Sequence, residues 1–291
     1  MLSIQNEILC VTISEQGGTL QSIKNLKNGL EYLWQGDKTY WGGRAPNLFP
    51  FVGRLFQQSY TLEGKTYPMQ IHGFLSKSTL TPAEVTPTSC SLILEDSEQT
   101  RRMYPFRFCF RLTYWLEGTV LGICFHVENR SEETMICGFG GHPGFNIPLE
   151  EGLSFTDYRL SFPVKCEPRL VEFSPSVLDS GARTPYALEE GSHLPLNHSL
   201  FTFDAVVLEG TTGCVELASP KGRHGVRVSY PQMPYVGFWH KPNTDAPFVC
   251  IEPWSVLPGR EGVVEDLSHM ADMTHIAPGA SFDNRWSIEV W

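Results

Sequence analysis

Phe106-Arg107-Phe108-Cys109-Phe110-Arg111-Leu112-Thr113-Tyr114 places a large apolar side chain at every second position. That is the period of a strand with one face in a core. Glu117-Gly118 follows, and then a second apolar run from Val120 to Val127, so the segment reads as a long hairpin closed by a tight turn. On its N-terminal side, Tyr60-Thr61-Leu62 and Lys65-Thr66-Tyr67 flank Glu63-Gly64 as a second hairpin. Ile8 to Ile13, Ser91 to Leu94, Ala205 to Leu208 and Gly225 to Val228 read as further strands. The 26 Gly and 21 Pro are scattered between such segments, and helical periodicity is confined to Glu98–Met103 and Val263–Met273, expected as short surface helices. Many short strands with Gly- and Pro-rich turns predict a sandwich or barrel. No linker or compositional shift divides the 291 residues, so residues 1–291 are expected to form a single all-β domain, mostly antiparallel.

The composition narrows the function. Hydrophobic residues make up 41% and charged residues 19%, the profile of a globular protein with a sizeable core. The net charge of -10 is spread along the chain without a basic cluster, which argues against a nucleic-acid partner. No apolar run reaches membrane-spanning length and Met1 to Glu7 lacks a signal-peptide pattern, so no membrane association and a cytoplasmic location are expected. The eight cysteines are well separated and mostly flanked by apolar residues, as expected of buried thiols in a reducing compartment. The sequons at Asn129 and Asn197 then carry no meaning. With no C-x-x-C and no H-E-x-x-H, no metal is expected.

Two segments combine proton chemistry with a fixed backbone. Cys137-Gly138-Phe139-Gly140-Gly141-His142-Pro143-Gly144-Phe145-Asn146 surrounds one histidine with four glycines, which would let backbone approach a ligand closely. Pro143 stands where a dinucleotide fingerprint would need glycine, so the run is not one. Phe248-Val249-Cys250-Ile251-Glu252-Pro253-Trp254 ends an apolar run in a carboxylate beside an indole, where burial should raise the pKa of Glu252. Both residues precede proline, which favours extended backbone and limits wobble. A turn histidine and an edge-strand glutamate would show the same residues without any catalytic role. Arg54 in Asn47-Leu48-Phe49-Pro50-Phe51-Val52-Gly53-Arg54-Leu55, His72 in Gln70-Ile71-His72-Gly73-Phe74-Leu75, Asp204 before Ala205-Val206, and Trp239 in Gly237-Phe238-Trp239-His240 are weaker candidates. Each also fits an ordinary structural role.

Taken in order, Gly53-Arg54, His72-Gly73, His-Pro-x-Phe-Asn at His142 to Asn146 and Ile251-Glu252-Pro253-Trp254 resemble the aldose 1-epimerase family, in particular its LacX-like branch. The resemblance runs from Gly17-Gly18-Thr19-Leu20 to Pro278-Gly279. It implies a galactose mutarotase-like β-supersandwich that binds a monosaccharide, a hexose such as galactose or glucose, without a cofactor, as a monomer or homodimer. It also implies His142 as general acid and Glu252 as general base, with Arg54, His72 and Asp204 holding hydroxyls or the ring oxygen. Gly144 departs from the best-known galactose mutarotases, which usually have an aromatic residue there, and Ser255-Val256-Leu257-Pro258 stands where the LacX-like branch often has a Tyr-Gly stretch. Both changes are expected to line the sugar pocket.

Three other readings fit the same residues. A glycoside hydrolase would pair Glu252 with Asp204 across a scissile bond. A carbohydrate-binding protein would keep the pocket without turnover. A hexose-phosphate epimerase would need a cationic cluster at the rim, for which Arg44, Arg54 and Arg260 are the candidates.

Overall fold

A computed structural model describes residues 1–291. The strand Phe108–Glu117 pairs antiparallel with Val120–Asn129. Phe108, Phe110, Leu112 and Tyr114 are fully buried, while Arg111 and Thr113 between them stay partly exposed. The strand begins at Phe108 rather than Phe106, because the Phe106 N–H is taken by the Tyr104 carbonyl at 2.8 Å. Gly118 adopts φ +59°, the left-handed backbone that a two-residue hairpin connection demands. The second hairpin forms as Ser59–Leu62 against Lys65–Pro68.

The Phe108–Asn129 hairpin lies within a nine-stranded antiparallel sheet whose spatial order is His193–Pro195, Arg159–Ser161, Cys214–Ala218, Gly225–Ser229, Ser281–Val290, Val120–Asn129, Phe108–Glu117, Ser89–Glu95 and Thr81–Val85. An eight-stranded sheet runs Asp179–Pro185, Arg169–Phe173, Val206–Glu209, Tyr235–Trp239, Phe248–Trp254, Gly140–Gly141 and Asn47–Leu48, with Gly144–Asn146 also on Phe248–Trp254. The two sheets face each other. Phe49 packs on Phe108 and Phe110 with ring centroids 5.6 and 4.8 Å apart, and Phe139 stacks on Phe125 at 6.2 Å. A core of 70 buried residues joins the layers, the antiparallel β-sandwich that the strand pattern predicts.

Of the two expected helices one forms. Glu98–Met103 is an α-helix closed by a capping box between Ser97 and Thr100. Val263–Met273 holds only a 3-10 turn, Leu267–His269. Asp266 caps this turn by accepting the Ser268 N–H at 2.9 Å, and the chain becomes extended at Met270, with φ -63° and ψ 130°, which ends the turn after three residues. Leu267, Met270 and Met273 are buried, so the three-residue apolar spacing reflects one packed face without an α-helix. The cysteines are all free, and five are buried, but Cys10, Cys166 and Cys214 are only partly so: Cys10 and Cys214 lie on strands, and Cys166 lies in a connection that packs on the edge of the core. No helix is long and apolar enough to cross a membrane.

Candidate active site

The run Phe248 to Trp254 looks uniformly apolar in sequence, but the strand alternation divides it. Val249 and Ile251 join the inter-sheet core. Phe248 and Cys250 belong to a separate cluster with Trp34 and Ala246, against which Trp41 and Trp239 pack. Glu252 continues that second face. Its strand is not an edge: Tyr235–Trp239 pairs on one side, and Gly140–Gly141 and Gly144–Asn146 pair on the other. Between the last two the ladder breaks at His142-Pro143. The flanking pairs, Gly140 with Trp254 and Gly144 with Cys250, put His142 opposite Glu252. Cross-strand partners on one face are close neighbours, and His142 Nε2 lies 3.3 Å from Glu252 Oε2.

The glycines around His142 have a different role from the one their sequence suggests. A Cβ at Gly138 would sit 2.4 Å from Val256, one at Gly141 2.6 Å from Trp286, and one at Gly140 3.0 Å from Leu48. They make room for side chains of the fold rather than for a ligand. Of the Ser255–Pro258 stretch, Pro258 lines the cavity described below, whereas Ser255 turns away from it: its Oγ accepts the Phe139 N–H at 2.7 Å as a strand-end clasp. Gly144 lies beneath Trp41 and Trp34.

One cavity of about 360 Å³ is lined by Arg54, His72, His142, Asp204, Trp239 and Glu252, so every sequence candidate reaches the same site. Trp41 and Trp254 line it too. Trp254 stood in the quoted run, but Trp41 was missed. Its one sequence signal is an aromatic pair, Tyr40-Trp41, before Gly42-Gly43. Arg44 and Arg260 do not join the wall: Arg44 donates to the Gln21 carbonyl at 2.6 Å and to Gln35, and Arg260 lies against Gly181. The cationic cluster required for a phosphate is therefore reduced, at the cavity, to Arg54.

Burial sets the protonation of the site. Glu252 is 2% exposed, and desolvation followed by the charge of Asp204 pushes its carboxyl well up. The Trp254 indole N–H makes no hydrogen bond and offsets little of this. His142 is pushed well down, by desolvation and then by His72, and its Nδ1 has no partner. The pair therefore holds a single proton between two buried groups. His72 Nδ1 accepts the Gly53 N–H at 3.0 Å, which leaves Nε2 as the protonated nitrogen. Desolvation, then the charges of Arg54 and Lys77, takes its pKa to about 4. His72 is held at φ +63°, an uncommon conformation for a non-glycine residue. Asp204 is raised, first by burial.

His142, Cys250 and Glu252 offer three donor atoms within 4.8 Å of one another. Without a cation, the Cys250 thiol is driven well up by burial and then by Glu252, so binding would have to displace its proton. A ligating imidazole also needs an acceptor for its second nitrogen, which His142 Nδ1 lacks. The donor set does not fit a resident cation.

Buried neutral histidines make stability depend on pH. His240 is 0% exposed; its Nδ1–H donates to the Lys241 carbonyl at 2.8 Å and its Nε2 faces His198 Nδ1 at 3.0 Å. Burial takes its pKa to about 4. Between about pH 4 and 6.5 the unfolded chain protonates His72, His142 and His240 while the fold does not, so folding stability falls as pH falls through that window. Glu252, protonated in the fold, opposes this with one proton. Thermal melts from pH 7 to 5 should therefore show a falling midpoint, and His240→Gln should flatten the dependence.

The aldose 1-epimerase family profile matches residues 1–278. Protein LacX of Lactococcus lactis subsp. lactis, in its plasmid and chromosomal forms, is 36% identical over 265 residues, 88% of each chain. The crystal structure of a galactose mutarotase related enzyme from Lactobacillus acidophilus is similar with TM-score 0.93 at 35% identity, covering 100% of this chain and 97% of that one. A galactose mutarotase-like protein from Lactobacillus casei gives TM-score 0.95 at 30% identity, with 100% of both chains covered.

Proposed function

The chain belongs to the aldose 1-epimerase family, and from that premise we propose that it interconverts the α and β anomers of a neutral hexose, galactose or glucose, by acid–base ring opening and reclosure. The observation that carries the reading is the cross-strand pair of His142 and Glu252, 3.3 Å apart on the cavity wall.

Anomer exchange takes a proton from the anomeric hydroxyl and gives one to the ring oxygen; the C1–O5 bond breaks, C1 rotates about C1–C2, and the ring recloses. A carboxylate whose pKa is raised binds a proton strongly, which suits Glu252 as base. An imidazolium whose pKa is lowered releases one readily, which suits His142 as acid. Proton transfer across the 3.3 Å gap brings the pair to this charged form, and sugar hydroxyls replace water around it. Arg54, which makes hydrogen bonds to no side chain in the free site, is placed to hold a hydroxyl. His72, with Nε2–H available, and Asp204 add a donor and an acceptor. Trp239 offers a flat apolar face.

Optical rotation of freshly dissolved α-anomers, run across free and phosphorylated aldoses, tests the proposal. Accelerated equilibration of a free hexose is expected. Sugar binding with no acceleration would overturn it in favour of a carbohydrate-binding protein, and a strict requirement for the phosphorylated sugars would overturn the neutral substrate.

A further inference from the structure

Trp41 comes from a polar loop far in sequence from either half of the pair. The loop is fastened at several points: the Trp41 N–H donates to the Asp37 carbonyl at 2.9 Å, Trp34 Nε1–H donates to the Trp41 carbonyl at 2.8 Å, and Tyr40 Oη–H donates to Asp245 at 3.1 Å. Lys241 Nζ reaches the Thr39 carbonyl at 2.9 Å. Gly43 folds the chain onto its own indole, since a Cβ there would sit 2.4 Å from the Trp41 ring.

The indole lands on the acid–base pair. It stacks on the His142 imidazole with centroids 4.9 Å apart and planes 24° from parallel, and it meets Trp239 edge-on at 5.5 Å and 78°. Gly144 supplies the room. That residue is an ordinary strand position opposite Cys250, and it is absent from the positive-φ glycines, so its backbone does not demand glycine. Space is tight instead: a Cβ there would lie 3.2 Å from Trp34 Cβ, 3.3 Å from the Trp41 ring and 3.4 Å from Cys250 Sγ, so the indole would have to give by a few tenths of an ångström.

The geometry points to Trp41 and Gly144 as one unit: Gly144 leaves a gap in the sheet face that Trp41 fills, and the indole thereby positions His142 and walls the sugar site. Trp41 is thus a positioning residue for the acid and, through its exposed edge, a contact for the apolar face of the substrate ring. This rests on the proposed anomer exchange. His142 also faces Glu252 and Cys250 on the Phe248–Trp254 strand and His72 from its loop. Asp204 acts on it through Glu252, and Arg54 and Lys77 act through His72. Truncating Trp41 alone alters none of these groups chemically, so the change is made at the indole.

A double-mutant cycle on hexose mutarotation tests the unit. Trp41→Ala is expected to lower kcat by about 10²-fold, the order of loss that follows a reacting group misplaced by about 1 Å. Gly144→Ala should lower it by about tenfold by displacing the indole, yet should add nothing in the Trp41→Ala background, because coupled neighbours are not additive. Trp41→Phe, which keeps a stacked ring, should recover most of the rate. Rehydration of His142 in Trp41→Ala should also move its titration, followed by NMR of the imidazole, up by about one pH unit. Additive rate losses, or a Trp41→Ala protein with lower thermal stability but unchanged kcat and unchanged His142 titration, would overturn the unit. If the wild-type protein accelerates no hexose, the anomer-exchange reading fails by itself. The NMR titration then still decides whether Trp41 governs His142.

Discussion

Glu252→Gln is expected to lower kcat for anomer exchange by about 10³-fold while leaving the fold and the thermal midpoint nearly unchanged, since a single positioned acid or base contributes ~10²- to 10⁴-fold. The amide has the shape of the carboxyl and occupies the same buried position opposite Gly237. It can still hydrogen-bond to His142 Nε2, but it cannot accept a proton from the anomeric hydroxyl. Because the native carboxyl is raised well above its ordinary range, replacing it removes no buried charge from the resting protein, and little stability should be lost. KM should change much less than kcat, as for an interaction made chiefly in the transition state. A variant within about threefold of the wild-type rate would remove Glu252 from the chemistry. A large fall in thermal midpoint with an equal fall in bound sugar would assign it a structural role.

The chemistry of this pair was legible in the sequence, but its pairing was not. His142-Pro143 and Glu252-Pro253 each announce a proton-transfer group on extended backbone. That the two stand opposite one another depends on a ladder that breaks at His142 and resumes at Gly144, and register between distant strands leaves no local signature. The glycine run was visible, yet its cause was not: Gly138 and Gly141 are fixed by Val256 and Trp286, which arrive from other parts of the chain. Trp41 was hidden for the same reason, because the imidazole it stacks on and the residues that fasten its loop, such as Asp245 and Lys241, come from distant parts of the chain. Strand alternation, by contrast, is a local property. The hairpin from Phe108 to Asn129 could therefore be read almost to its ends, whereas Leu267, Met270 and Met273 gave an apolar spacing on a chain that leaves the helical conformation at Met270.

His142→Asn is expected to cost a comparable ~10²- to 10³-fold in kcat, and the double variant His142→Asn/Glu252→Gln should be no slower than the slower single one, because groups that act as a unit are strongly non-additive. The pH dependence separates the two roles. With one proton in the pair, the wild-type rate should be bell-shaped: a second proton at low pH removes the base, and loss of the last proton at high pH removes the acid. The two limbs belong to the pair and not to either residue. In Glu252→Gln only His142 titrates, and it acts when protonated, so the residual rate should fall as pH rises. In His142→Asn only Glu252 titrates, and it acts when ionised, so the residual rate should rise with pH. Opposite slopes in the two single variants, measured on the same hexose, would establish which residue gives the proton and which takes it. Slopes of the same sign would contradict the assignment of His142 as acid and Glu252 as base, even if both variants were slow.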